Sequence, residues 1–221
     1  MNTEKAELFT PAPEWSGRSD GPGPEHARWH SVIKQSTDSP APVTLLGFAS
    51  DEGVLRNGGR QGAAAGPAAL RAALGSLAVH HEHALADAGT ITTQADDLDG
   101  SHDALSDKVQ ELVEAGTLPI ILGGGHETAF GSHRGLYRAV GATKIINLDA
   151  HFDLRRANQA TSGTPFKQIS ELTDDFDYTP SDDHRILIEY RKGHELTVKR
   201  EAGEAAVAAG KAVEVKAPAR K

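Results

Sequence analysis

The 221 residues suit one domain of ordinary size, and a content of 38% hydrophobic and 24% charged residues reads as globular rather than disordered. The absence of cysteine excludes a disulfide scaffold, an iron–sulfur cluster, a cysteine-ligated zinc finger and a thiol nucleophile, so any metal chemistry has to draw on carboxylates and the 11 histidines. A net charge of -8 argues against nucleic acid as the main partner, because nothing supplies a broad cationic surface.

Residues 1–42 hold six of the eleven prolines among Gly, Ser and charged residues, and read as an extended or partly disordered N-terminal arm. The sequence has no charged-then-apolar leader and no apolar run near the ~20 residues of a membrane span, which predicts a soluble, cytoplasmic protein. Val43 to Ala49 (VTLLGFA) is a strand whose continuous apolar run suits burial on both faces. A glycine-rich loop (NGGRQGAAAG) then leads to Pro67 at the first helical position and a helix through AALRAAL. Ala84 to Ala88 is a candidate short strand. Asp96, Asp97 and Asp99 read as a solvated loop before a helix over Ser101 to Ala115, with Ser101 as N-cap and Leu105, Val109, Leu112 and Val113 on one face. Leu118 to Leu122 (LPIIL) is predicted as a strand, His126 to Val140 as a helix and Lys144 to Leu148 (KIINL) as another strand. This alternation predicts an α/β fold with a parallel sheet and helices on both faces, in which ligands bind at the carboxyl ends of the strands.

Two of those strand ends carry chemistry. Asp149-Ala150-His151-Phe152-Asp153 follows KIINL directly, and on extended backbone Asp149, His151 and Asp153 face one side. Two carboxylates and an imidazole there suit a cation that takes mixed N and O ligands, such as Mn2+ or Zn2+; a polar loop entry with capping aspartates is the other reading. Gly123-Gly124-Gly125-His126-Glu127 follows LPIIL, and its glycines allow a sharp turn that leaves His126 over the strand end. No Gly-Lys-Ser/Thr follows, which disfavours a phosphate cradle, and neither His126-Glu127 nor His194-Glu195 is followed by the histidine a zinc peptidase needs. Taken together, His126, Asp149, His151 and Asp153 suit a binuclear centre with one bridging aspartate, where a hydroxide held between two cations is a strong nucleophile near neutral pH. His80, His81 and His83 read as a solvated helix end, and His26, His30, His102 and His133 show no partner in the sequence. Asp174, Asp175 and Asp177 lack the glycine and glutamate of a calcium loop.

GGGHE, NLDAHFDLR and TSGTPF together resemble the arginase–agmatinase–formimidoylglutamase (ureohydrolase) family. GFASDEGVLRNGGRQGAAAGPAALR, HETAFGSHRGLY, Phe152 with Arg155, and Ser162-Gly163-Thr164-Pro165-Phe166 are similar to its formimidoylglutamase branch in particular, over roughly residues 43–178. The resemblance implies a three-layer α/β/α sandwich around a mainly parallel sheet. It also implies two Mn2+ ions: His126, Asp149 and Asp153 on one, Asp149 and His151 on the other, with Asp149 bridging. Ser162 becomes an expected substrate contact, near the place of a histidine linked to proton transfer in arginases, whose absence argues against arginase activity. Arg155 stands where arginases have a small amide residue, and its guanidinium could hold a glutamate-type carboxylate in a bidentate pair; a solvated pair with Arg156 is the alternative. The implied reaction is hydrolysis of N-formimidoyl-L-glutamate to L-glutamate and formamide in histidine breakdown. The substrate is a small molecule, with no nucleic acid or membrane partner; a homo-oligomer is left open. An arginase- or agmatinase-like guanidino hydrolase is the alternative substrate reading.

The family's second half carries a strand ending in Asp-x-Asp that supplies a further bridging aspartate and a further ligand. Asp175-Phe176-Asp177 has that spacing but no apolar strand before it, and Asp182-Asp183 has the wrong spacing. Residues 182–221 carry 9 Lys+Arg against 7 Asp+Glu, whereas the chain up to residue 181 has 14 against 24. The expected organisation is therefore an arm over 1–42, an incomplete arginase-like domain over 43–178 and a tail over 179–221 without family resemblance, as a frameshift or truncation would leave. An inactive remnant or a metal-binding protein without turnover is the competing reading of function.

Overall fold

The computed structural model describes residues 8–35, 41–80, 83–172, 176–178, 188–190 and 207–208. In chain order its strands are β1 (Phe9–Thr10), β2 (Lys34–Gln35), β3 (Val43–Ala49), β4 (Leu85–Thr92), β5 (Leu118–Leu122), β6 (Phe176–Tyr178) and β7 (Ile188–Tyr190). Its α-helices are α1 (Trp29–Val32), α2 (Glu52–Arg56), α3 (Gly66–Gly75), α4 (Leu98–Glu114), α5 (Thr128–Val140) and α6 (Pro165–Leu172). The main sheet has β3 at its centre, parallel to β4 on one side and β5 on the other. The far edge of β4 is shared by β2, parallel at Ala86 and Asp87, and β1, antiparallel at Thr90 and Ile91. β6 and β7 form a separate antiparallel pair.

β3 is apolar apart from Thr44 because both of its faces are covered. Phe48 stacks on His102 of α4, while the Cα of its neighbour Gly47 lies against Pro67 and Arg71 of α3. Successive side chains point to opposite faces, so α3 lies on one face of the sheet and α4 with α5 on the other: an α/β sandwich of three layers. The core gathers Leu46, Phe48 and Ile91 from the sheet with Leu98, Leu105, Val109 and Leu112, which recur along one stripe of α4. α5 meets that stripe through Gly131 and Gly135, whose Cα atoms abut Leu105 and Val109.

Residues 8–35 lie along the β4 side of the sheet. The Trp15 indole donates to the buried Asp87 (2.8 Å), and Arg71 donates to the same carboxylate through Nε (2.7 Å) and Nη2 (2.8 Å). This pairing corrects the expectation that the strand ends at Ala88. The candidate strand already spans Asp87; with that charge matched by Arg71 inside the fold, the strand runs on to Thr92. The α4 start is also corrected. Asp97 is the N-cap, accepting from the Gly100 amide (2.9 Å), whereas Ser101 is buried one turn inside and its hydroxyl donates back to the Asp97 carbonyl (2.7 Å). α5 begins at Thr128 rather than His126 because 123–127 form the turn that precedes it.

A further correction is the expected strand over Lys144 to Leu148, which is not formed; Ile146 is 87% and Leu148 95% exposed. A strand needs a neighbour for its backbone N–H and C=O groups, and none lies beside this segment among the described residues. β5 is likewise an edge, with Leu118 and Ile120 exposed. Its Pro119 has no N–H, a loss that an edge strand tolerates. No described helix is long and apolar enough to cross a membrane. Of the expected tail, only residues 188–190 and 207–208 are described, and Asp174, Asp175, Asp182 and Asp183 lie outside the described residues, as does His81.

Candidate metal centre

The centre is assembled at the carboxyl end of β5. Beyond Leu122 the three glycines pass so close to the end of β3 that Gly124 has no space for a Cβ beside the Ser50 backbone, and the Gly125 amide donates to the Ser50 carbonyl (3.0 Å). Thr128 Oγ donates to the Gly125 carbonyl (2.6 Å) and closes the turn. His126 leaves this turn half-exposed, with its ring edge-on to Phe166 of α6.

Residues 149–153 bring the carboxylates to it. His126 Nδ1 lies 2.7 Å from Asp153 Oδ2 and 3.6 Å from Asp149 Oδ2. Asp153 adopts φ +48°, a left-handed conformation that Asp tolerates better than most residues, and its carbonyl accepts from the Phe166 amide (3.2 Å) at the start of α6. The Asp149 carboxyl is held below the usual carboxylate range, chiefly by the His151 amide it accepts from (2.8 Å), with the nearby imidazoles of His126 and His151 adding to the effect. His126, Asp149 and Asp153 therefore offer one nitrogen and two oxygens within 4.8 Å of one another, a donor set that fits a divalent cation such as Mn2+.

His151 stands apart from those three. It is exposed, and its Nδ1 lies 3.5 Å from Asp149 Oδ1. The expectation that Asp149, His151 and Asp153 share one face of an extended strand is corrected here. With 144–148 unpaired the backbone at 149–151 bends, and Asp149 accepts from the residue two positions on, which a strand would not allow. Asp149 nevertheless turns one oxygen toward each histidine.

Arg155 and Ser162 are drawn near each other through the backbone of Gly163. Arg155 donates from its amide to the Gly163 carbonyl (3.0 Å) and from Nη1 to Asn57 Oδ1 (2.6 Å), while the Ser162 amide donates to the Gly53 carbonyl (2.9 Å). An open cavity of about 560 Å³ is lined by Arg155, Arg156, Gln159, Lys167 and Gln168, among others, and does not take in His126, Asp149 or Asp153.

Three residues that sequence reasoning passed over support this arrangement. Glu127 is fully buried and accepts from Ser50 Oγ and the Gly53 amide, each at 3.0 Å; burial pushes its carboxyl pKa up. His102 is buried beneath it, donates from Nε2 to the Glu127 carbonyl (2.9 Å), and has its pKa pushed down to about 4 by burial. Asn57 orients Arg155. Nothing in the local sequence marks His102 or Asn57, but the acidic residue after His126 in an apolar context was a visible sign for Glu127.

The Arginase family model matches residues 41–192. Formimidoylglutamase of Corynebacterium efficiens is 53% identical over 175 residues, covering 75% of this chain and 54% of that protein, and formimidoylglutamase of Citrobacter koseri is 50% identical over 170 residues, covering 73% and 54%. Among solved structures, a Trypanosoma cruzi formiminoglutamase with Mn2+ superposes with a TM-score of 0.57 at 36% identity, covering 62% of this chain and 50% of that one. A Bacillus subtilis formimidoylglutamase, at 22% identity and a TM-score of 0.60, shares the fold and covers 66% and 49%. The chain spans about half the length of the curated relatives it matches.

Proposed function

The chain belongs to the arginase family, and on that premise we propose that it carries metal- and substrate-binding residues of a manganese-dependent hydrolase that cleaves N-formimidoyl-L-glutamate to L-glutamate and formamide. One observation carries the proposal: two separate segments, 123–127 and 149–153, bring His126 together with Asp149 and Asp153. His126, Asp149 and Asp153 would hold one cation, and Asp149 with His151 a second. The carboxylate between the two histidines, one oxygen toward each, supports Asp149 as the shared ligand. A bound divalent cation supplies Lewis acidity and lowers the pKa of water to near neutrality.

The chain's own residues contribute placement and charge. Arg155 is fixed by Asn57 at a position from which its guanidinium can take a carboxylate of an acidic substrate, and the Ser162 hydroxyl adds a polar contact beside it. In the overall reaction water adds to the formimidoyl carbon, the bond from that carbon to the glutamate nitrogen breaks, and that nitrogen leaves with a proton as the free amine.

A second reading, metal binding without turnover, is favoured by the count of charges. Two carboxylates in the cluster leave a pair of divalent cations under-neutralised among the described residues. Titrating purified protein with Mn2+ and assaying formamide separates the two readings. Tight binding of two ions with formamide release, both abolished by Asp149→Ala, supports the hydrolase. Binding without release selects the second reading, and no binding by the intact chain overturns both.

A further inference from the structure

We infer that Glu127 is a positioning residue that holds His126 and Arg155 in fixed relation through one backbone residue, Gly53; the inference rests on the roles proposed above for those two side chains. Glu127 Oε1 accepts from the Gly53 amide and from Ser50 Oγ. Its Oε2, also buried, has no hydrogen-bond partner and lies against Gly53 and Gly125, neither of which has room for a Cβ. The Glu127 carbonyl is held by His102. Both ends of the residue are thus anchored, which fixes the backbone directly after His126.

The carbonyl side of Gly53 does the same for the other half of the site. It accepts from the Ser162 amide (2.9 Å) and the Asn57 amide (3.1 Å). Asn57 in turn holds the Arg155 guanidinium, and Gly163, next to Ser162, holds the Arg155 amide. Gly53 therefore carries the His126 turn on its N–H and the Arg155 loop on its C=O. A buried carboxyl with one oxygen unmatched is costly, and packing alone would be served better by an apolar side chain. Holding a metal ligand and a substrate contact in register is a role that an apolar residue could not fill, because it offers no acceptor to Ser50 and Gly53.

The test compares Glu127→Ala and Glu127→Gln with Val109→Ala, a core variant remote from the site. Mn2+ affinity is read by the electron paramagnetic resonance of free Mn2+, and amide hydrogen exchange is followed at Gly53, Ser162 and Arg155 in the metal-free protein. Glu127→Ala is expected to weaken Mn2+ binding at least ~10-fold, the usual effect of losing a residue that orients a ligand, and to speed exchange at those amides while β4 stays protected. Glu127→Gln keeps an acceptor oxygen and should fall short of that ~10-fold loss. If Glu127→Ala does not fold, Glu127→Asp, which draws the carboxyl back by one methylene, provides the same comparison. Unchanged affinity and exchange in Glu127→Ala, or equal losses in Val109→Ala, would overturn the inference. If the intact chain takes up no Mn2+, the metal reading fails and the exchange pattern alone decides the role of Glu127.

Discussion

Replacing Asp87 by alanine tests whether the N-terminal segment and the sheet are joined by a matched buried charge. Asp87 is 1% exposed and accepts four hydrogen bonds: two from Arg71, one from Trp15 Nε1 and one from the Gly89 amide (2.9 Å). In Asp87→Ala the Arg71 guanidinium, itself buried, keeps Thr90 Oγ1 and the Gly89 carbonyl but loses its counter-charge. Breaking one side of a buried ion pair costs about 3–5 kcal/mol, and the stranded Gly89 amide acts in the same direction. With a urea slope of about 2 kcal/mol/M, the midpoint should fall by roughly 2 M. Urea unfolding followed by far-ultraviolet circular dichroism measures the shift, and Trp15 fluorescence reports whether the arm is released. The double variant Arg71→Met/Asp87→Leu removes the stranded charge, so it should be more stable than Asp87→Ala. A loss under about 1 kcal/mol in the single variant, the range of an exposed pair, or a double variant no better than the single one, would refute the reasoning.

Three further outcomes are expected. His102 has its pKa depressed to about 4 against 6.5 for the free group, so the unfolded chain takes up a proton first as the pH falls. Stability should be complete above about pH 6.5 and decline by about 3 kcal/mol toward pH 4; His102→Gln should flatten that part of a pH series of melting curves. Asp153→Asn should abolish Mn2+ binding with little change in melting temperature, because Asn also tolerates the left-handed backbone at this position; calorimetric titration showing wild-type affinity would exclude Asp153 as a ligand. Ile120→Lys, on the uncovered face of β5, should lower light scattering at high protein concentration while changing stability by less than about 1 kcal/mol, since Ile120 is 42% exposed.

The sequence by itself determined the central strands, the main helices and the residues of the metal cluster. Val43–Ala49 and Leu118–Leu122 were legible to the residue because a short apolar run between polar loops marks a strand, and each of these two pairs with a neighbour in the sheet. His126, Asp149 and Asp153, the proposed ligands, were legible because His and Asp at close spacing beside apolar runs form short patterns that can be read locally. What depends on a partner was decided only by the tertiary structure. That Asp87 is buried with its charge matched, in a strand that runs on to Thr92, depends on Arg71 and Trp15 reaching it from elsewhere in the chain. KIINL is left exposed because no described strand pairs with it, and the bend that follows sets His151 apart from His126, Asp149 and Asp153. Glu127, Gly53 and Asn57 acquire their roles from contacts across 74 to 98 positions of sequence. Local pattern fixes what a segment prefers, whereas a hydrogen bond or a charge pair exists only once folding has brought both of its members together.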